Sequence, residues 1–168
     1  MKKQKTTHFL VLSSLIAAAY VALTYFSVAF GLAYGEVQFR ISEALNILAA
    51  LTPAAIPGLT IGCFLSNITS PFPLDMLFGT VATLLSAVSI RLLSKMLKRT
   101  TPYICVLPPS ILNAVFVGMQ VTLFTDSNAS FSAFILSAVS VFIGEFAVCS
   151  ALGIPLYYAF KSKIGRFL

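Results

Sequence analysis

The chain has 168 residues, 58% of them hydrophobic and only 10% charged, with a net charge of +6. A soluble domain carries about 25% charged residues, so a chain this apolar, with a mean hydropathy of +0.96, cannot cover a water-facing surface. Its length allows one domain, residues 1–168, of packed helices and leaves no room for a soluble catalytic domain.

A membrane span needs about 20 apolar residues, with a range of roughly 17–25. The first apolar segment runs from Phe9 to about Ala33, too long for the core of a cleavable signal peptide. Segments two and three lie between Ile41 and Thr69 and are split by a turn at Pro53–Pro57. The fourth runs from Asp75 to Leu93, the fifth from Ile104 to Phe124, and the sixth from Phe131 to about Phe160, with a break expected near Gly153 and Pro155. Segments two and three are short for a full crossing, and charge parity decides their number. With two crossings there, Lys2, Lys3, Lys5, Arg91, Lys95, Lys98, Arg99, Lys161, Lys163 and Arg166 fall on one side, and Arg40 alone falls on the other. That asymmetry predicts six transmembrane helices in an all-α polytopic bundle, with both termini in the cytoplasm. The same placement makes the basic clusters topology signals and argues against a nucleic-acid partner.

The sequence has no phosphate-binding loop of the GxxxxGK[ST] type, no HExxH and no GxSxG, so enzymatic chemistry and ATP hydrolysis are not expected of it. Cys63, Cys105 and Cys149 are odd in number, far apart and inside apolar runs, which reads as packing and neither as a disulfide framework nor as a metal site. His8 reads as an interfacial side chain. What remains is a small set of polar residues within or beside the spans. Glu36, Arg40 and Glu43 are spaced to pair along one helical face, either as an exposed ion network or as a polar lid over an outward-facing pocket. Glu43, Asn46, Asn67 and Asp75 lie near the outer ends of their segments, and Gln120 in the outer half of the fifth. Asn113 and Glu145 come near mid-bilayer, where they could meet. An ionisable residue at that depth is costly and marks a functional site by default, its alternative being a structural hydrogen bond between helices. The inner halves are mostly apolar, so the expected picture is a polar cavity closed on the cytoplasmic side. Segment one carries Ser14, Ala18 and Ala22 at intervals of four. Small residues at this spacing admit another helix closely, either within the chain or from a separate membrane subunit.

Several stretches also resemble the QueT family. They are Glu-Val-Gln-Phe-Arg-Ile-Ser-Glu-Ala-Leu from Glu36 to Leu45, the run from Thr52 to Gly62, Phe78 to Leu85, and Pro-Ser-Ile-Leu-Asn from Pro109 to Asn113. Gly144 with Glu145 and the Gly-Ile-Pro-Leu from Gly153 to Leu156 continue the likeness, while Leu-Ala-Ala-Leu from Leu48 to Leu51 departs from it. The resemblance implies a queuosine-precursor transporter of the bacterial cell membrane, the substrate-binding S component of an energy-coupling factor importer. Its partners would be a T subunit and two ATPase subunits, which would hydrolyse the ATP. It also implies a first outer loop that caps the site and an Ala-xxx-Ala seam, matched by Ala18 and Ala22, for docking the T subunit. A 7-deazaguanine offers N–H donors to a carboxylate, a carbonyl and ring nitrogens to amides, and in one precursor an aminomethyl cation to a second carboxylate. The candidate ligand residues are therefore Glu43, Glu145, Asn113, Gln120, Gln38, Phe39, Arg40, Asp75 and Asn46, with Phe39 and Tyr34 suited to stacking on the ring. A self-sufficient secondary transporter of a nucleobase-like or vitamin-like compound is the rival reading.

Overall fold

The computed structural model describes residues 2–33, 39–70, 74–97, 101–124 and 130–164. Helix α1 spans Lys2–Ala29 and stops where Gly31 takes a left-handed turn with φ of 69°. Residues with a side chain rarely adopt that conformation, so the glycine ends the helix four residues before the expected Ala33. A 3₁₀ segment, Ile41–Ile47, then runs into a short helix α2, Leu48–Leu51. Helix α3 is Ala55–Asn67, α4 is Asp75–Met96, α5 is the single turn Thr101–Ile104, and α6 is Leu107–Phe124. Helix α7, Phe131–Val148, passes through a π turn, Cys149–Gly153, into α8, Ile154–Ile164. The break expected near Pro155 is therefore a widened turn in a continuous helix. Proline cannot donate a bond or admit the i−4 carbonyl of a regular α-helix, and a π turn just before it relieves both conflicts.

Among the described residues, four helical stretches are long and apolar enough to cross a membrane: Thr6–Ala29, Asp75–Met96, Pro102–Gln120 and Phe131–Ser162. The outward surface is apolar, with Leu10, Phe30, Leu77 and Leu136 all exposed. The chain is an all-α polytopic membrane protein.

The two shorter apolar segments, Ile41–Leu51 and Ala55–Asn67, run down and up the middle of α1. At one end the backbone N–H of Ile41 donates to Ser27 Oγ at 3.0 Å, and Thr24 Oγ1 donates to Ser42 Oγ at 2.8 Å. At the other end Ser13 Oγ donates to the Ala54 carbonyl at 2.9 Å. The chain then returns parallel to α1. Gly58 lies beside Ser13 and Ile16, Gly62 beside Ala17 and Tyr20, and Thr69 Oγ1 donates to the Tyr25 hydroxyl at 3.2 Å. From Ser27 to Ser13, α1 covers about 21 Å at 1.5 Å per residue. Eleven α-helical residues would fall short of that. Seven residues of 3₁₀ at about 2.0 Å each plus one α turn reach about 20 Å, so the tighter winding lets a short segment match the depth.

Close helix contacts use small residues, as expected where lipid removes the hydrophobic drive for association. A Cβ on Gly58 would stand 2.7 Å from the Ser13 carbonyl oxygen, and one on Gly62 would stand 2.8 Å from Tyr20 Cβ. Gly118 of α6 meets Ala138 of α7 in the same way, at 2.9 Å. The packing order is α1, α3, α4, α6, α7, and the 3₁₀ segment sits among them, touching α1, α3, α4, α7, α8 and the π turn. Leu48, Ala49, Leu59, Ala87, Ile90, Cys105 and Tyr157 form an apolar core toward the end that carries Arg91 and Lys95. The polar residues gather on the other side of that core.

Candidate substrate site

Because a 3₁₀ helix repeats every three residues, Arg40, Glu43 and Asn46 fall in one row. All three are almost wholly buried, and they join two polar clusters.

The first cluster is built on Asp75, the first residue of α4. Its Oδ2 accepts from Arg40 Nη2 at 3.1 Å and from Ser70 Oγ at 2.6 Å, and its Oδ1 accepts from Gln120 Nε2 at 2.6 Å. Asn67 Nδ2 donates to the Asp75 carbonyl at 3.2 Å, and Asn67 Oδ1 accepts from Arg40 Nη1 at 3.4 Å. The helix N-terminus also favours a carboxylate there. Glycine is required across from this cluster, since a Cβ on Gly79 would stand 2.9 Å from Asn67 Nδ2. Arg40 thus pairs with Asp75, a partner that local spacing did not suggest; of the two that it did, Glu36 lies outside the described residues. The tertiary fold offers it a carboxylate already held by two other donors. Arg40 Nε also reaches the Ala33 carbonyl, at 3.4 Å.

The second cluster is built on Glu43. The Tyr20 hydroxyl donates to its Oε1. Asn46 Nδ2 donates to its Oε2 at 2.5 Å, and Asn113 Nδ2 to the same oxygen at 3.3 Å. Glu145 of α7 lies close to both Asn113 and Glu43. Glu145 is 2% exposed. Glu43 lies deeper than its place at the start of a segment suggested. It is level with Tyr20, in the middle third of Thr6–Ala29, because α1 continues beyond the start of the 3₁₀ segment. On the Lys95 side, Ile47, Cys105, Val106, Pro109, Cys149 and Gly153 close over Glu43 and Asn46 and leave no water-sized space.

The three carboxylates differ in what is left to them. Asp75 already accepts from three side chains. Glu43 accepts from three as well, and an ionised carboxylate offers about four acceptor positions. Of the buried side-chain atoms with no hydrogen-bond partner, which include Thr80 Oγ1 and Ser86 Oγ of α4, three belong to these clusters: Glu145 Oε2, Asn46 Oδ1 and Gln120 Oε1. Such atoms are uncommon and call for an explanation. All three are acceptors, which suits a ligand rich in N–H groups.

Of the other candidate residues, Phe39 is half-buried, its N–H donating to the Leu32 carbonyl at 2.8 Å. Gln38, Tyr34 and Glu36 lie outside the described residues. Tyr20 was missed by the sequence reading, although a signal was present: Ser13, Ala17, Tyr20, Thr24 and Ser27 recur at alternating intervals of four and three and are all buried, a small and polar stripe on one face of an apolar helix. The neighbouring stripe, Ser14, Ala18 and Ala22, is exposed. Close packing inside the chain uses Ser13 and Ala17 against Gly58 and Gly62, so the seam singled out in the sequence is not consumed internally. It lines a surface groove of about 650 Å³ between α1 and α3, together with Phe9, Pro57 and Ile61.

No solved structure matches the chain. Among curated proteins, it is 40% identical over 84 residues to the queuosine precursor transporter QueT of Lactococcus lactis subsp. cremoris; the aligned stretch is 50% of this chain and 49% of that relative. The model of the QueT transporter family matches residues 10–162, nearly the whole bundle including every residue of both polar clusters, and the chain therefore belongs to that family.

Proposed function

We propose that the chain is the membrane-embedded substrate-binding subunit of an importer for a queuosine precursor, a 7-deazaguanine. The observation that carries this reading is a buried pair of carboxylates, Glu43 and Glu145, set among amide side chains at mid-depth, with acceptor atoms left unsatisfied. Arg40 is engaged with Asp75. A ligand with a guanine-like edge and an aminomethyl cation supplies the donors and the charge this arrangement lacks. Isothermal titration of the detergent-purified chain with a 7-deazaguanine carrying an aminomethyl group tests it directly. Absence of binding rejects the reading.

In this proposal the termini and the Arg91–Arg99 region face the cytoplasm. Arg40, the one basic residue assigned to the outer side, is buried in an ion pair, so the charge asymmetry of the exposed loops is complete. In a background lacking Cys63, Cys105 and Cys149, a cysteine at Ser130 should react with an impermeant maleimide in intact cells, and one at Lys95 only after permeabilisation. Reaction of position 95 in intact cells reverses the orientation.

The exposed groove of Ser14, Ala18 and Ala22 is the proposed seat of a T subunit, which with two ATPase subunits would supply energy. Ala18→Leu fills the groove and holds a partner helix off. Uptake should fall at least about tenfold while binding by the isolated chain stays within about twofold, because close packing between membrane helices depends on small residues. Unchanged uptake and no co-purifying ATPase would favour a partner-independent transporter.

A further inference from the structure

Glu43 takes one donor from each of three elements: Tyr20 from α1, Asn46 from its own 3₁₀ segment and Asn113 from α6. The donors are not equivalent. Both asparagines address Oε2, and the tyrosine alone addresses Oε1. A carboxylate held at one oxygen can still rotate about its Cγ–Cδ bond; held at both, it has one orientation. Asn46 is a neighbour on the same segment and moves with Glu43. Tyr20 is anchored independently, because α3 presses against its Cβ at the Gly62 contact and Thr24 Oγ1 donates to its carbonyl at 2.9 Å. It is also the largest fully buried side chain among the described residues, and a buried phenol requires a partner for its hydroxyl. The backbone register between α1 and the 3₁₀ segment is held separately, one and two turns further along, by Thr24 with Ser42 and by Ser27 with the Ile41 N–H. The Tyr20 hydroxyl is therefore not needed to dock the segment.

We propose that Tyr20 is the positioning residue for the Glu43 carboxylate: its hydroxyl fixes the carboxylate plane and directs Oε2 toward Asn46, Asn113 and the ligand. The role toward ligand rests on the function proposed above, whereas the role toward Glu43 does not, and the test separates the two.

The first measurement needs no ligand. The full chain, purified in detergent with ¹³C-carboxyl glutamate, gives an infrared carboxyl band that disappears in Glu43→Gln. Tyr20→Phe keeps the ring and should shift that band by several wavenumbers; an unmoved band overturns the proposal. If the phenylalanine variant does not fold, difluorotyrosine at position 20, a stronger donor of nearly the same shape, must move the band in the opposite direction. The second measurement is titration with the aminomethyl 7-deazaguanine. Loss of one hydrogen bond to a charged group predicts about tenfold weaker binding in Tyr20→Phe. Added to Glu43→Gln, the same change should cost nothing further, since the carboxylate it positions is gone. Fully additive losses would mean that Tyr20 acts through packing and would overturn the proposal. A wild-type chain that does not bind the probe rejects the substrate reading, and the infrared band still decides the role of Tyr20.

Discussion

Glu145→Gln is expected to weaken binding of an aminomethyl 7-deazaguanine by about tenfold or more, since a hydrogen bond to a charged group contributes about 1.5–3 kcal/mol. Glu145 is 2% exposed on α7, beside Gly144, and its Oε2 has no hydrogen-bond partner. Burying a charge without a partner is costly, and the fold gives its buried guanidinium, Arg40, to Asp75. A cationic, N–H-rich ligand completes the site. Glutamine keeps the shape, removes one acceptor and turns a donor toward the ligand's own donors. Folding should be little affected, because the variant removes a buried charge and leaves a side chain able to bond to Asn113. Calorimetric titration measures the affinity, and thermal unfolding in detergent checks the fold. Wild-type affinity in this variant would leave Glu43 as the ligand carboxylate, since Asp75 is already neutralised by Arg40 at 3.1 Å.

Asp75→Asn should have the opposite profile. Removing one partner of a buried ion pair leaves the other uncompensated and destabilises by about 3–5 kcal/mol. Arg40 and Asp75 are 3.1 Å apart with side chains 5% and 2% exposed, so water cannot take over. A large fall in the unfolding temperature is expected, and Asp75→Asn combined with Arg40→Leu should recover much of it, because replacing both members of a buried pair is often nearly neutral. This also tests the lid expected of Arg40. A lid residue would change ligand dissociation without changing stability; a brace between the 3₁₀ segment and α4 does the reverse. A variant as stable as wild type would show that the pair is not a brace.

Much of this arrangement was legible from the sequence. Runs of apolar residues marked the helices, and the few polar residues inside them were the ones that meet in the bundle. Lipid makes both signals strong, since a polar side chain in a span must find company inside. Depth was less legible. Glu43 opens an apolar run, and only the 3₁₀ winding and the continuation of α1 past it put the carboxylate level with Tyr20. Winding cannot be read from a seven-residue stretch whose polar spacing of three suits either helix. Partner choice was illegible for a similar reason: Arg40 has acidic residues at local spacing, and its pairing with Asp75 spans 35 positions. Tyr20 was hidden by being aromatic, since a tyrosine in an apolar helix is ordinarily read for its ring.

Helix α3 has 13 residues, about 20 Å at 1.5 Å per residue, beside a hydrocarbon layer of about 30 Å. The side chains of Ile61, Phe64 and Leu65, and of Ile68 just beyond the helix, are apolar and exposed, so acyl chains that meet them would draw the bilayer inward along this face. Each ångström of such hydrophobic mismatch costs a fraction of a kcal/mol, and that energy resides in the lipid, not in the protein. The pinched face is continuous with the groove of Ser14, Ala18 and Ala22, since Ile61 and Leu65 line that groove too. A partner helix seated there would displace the deformed lipid and let the membrane relax. Between membrane helices, where apolar contact alone gives little drive to associate, the short α3 would thus supply an attraction that no residue of the interface has to provide.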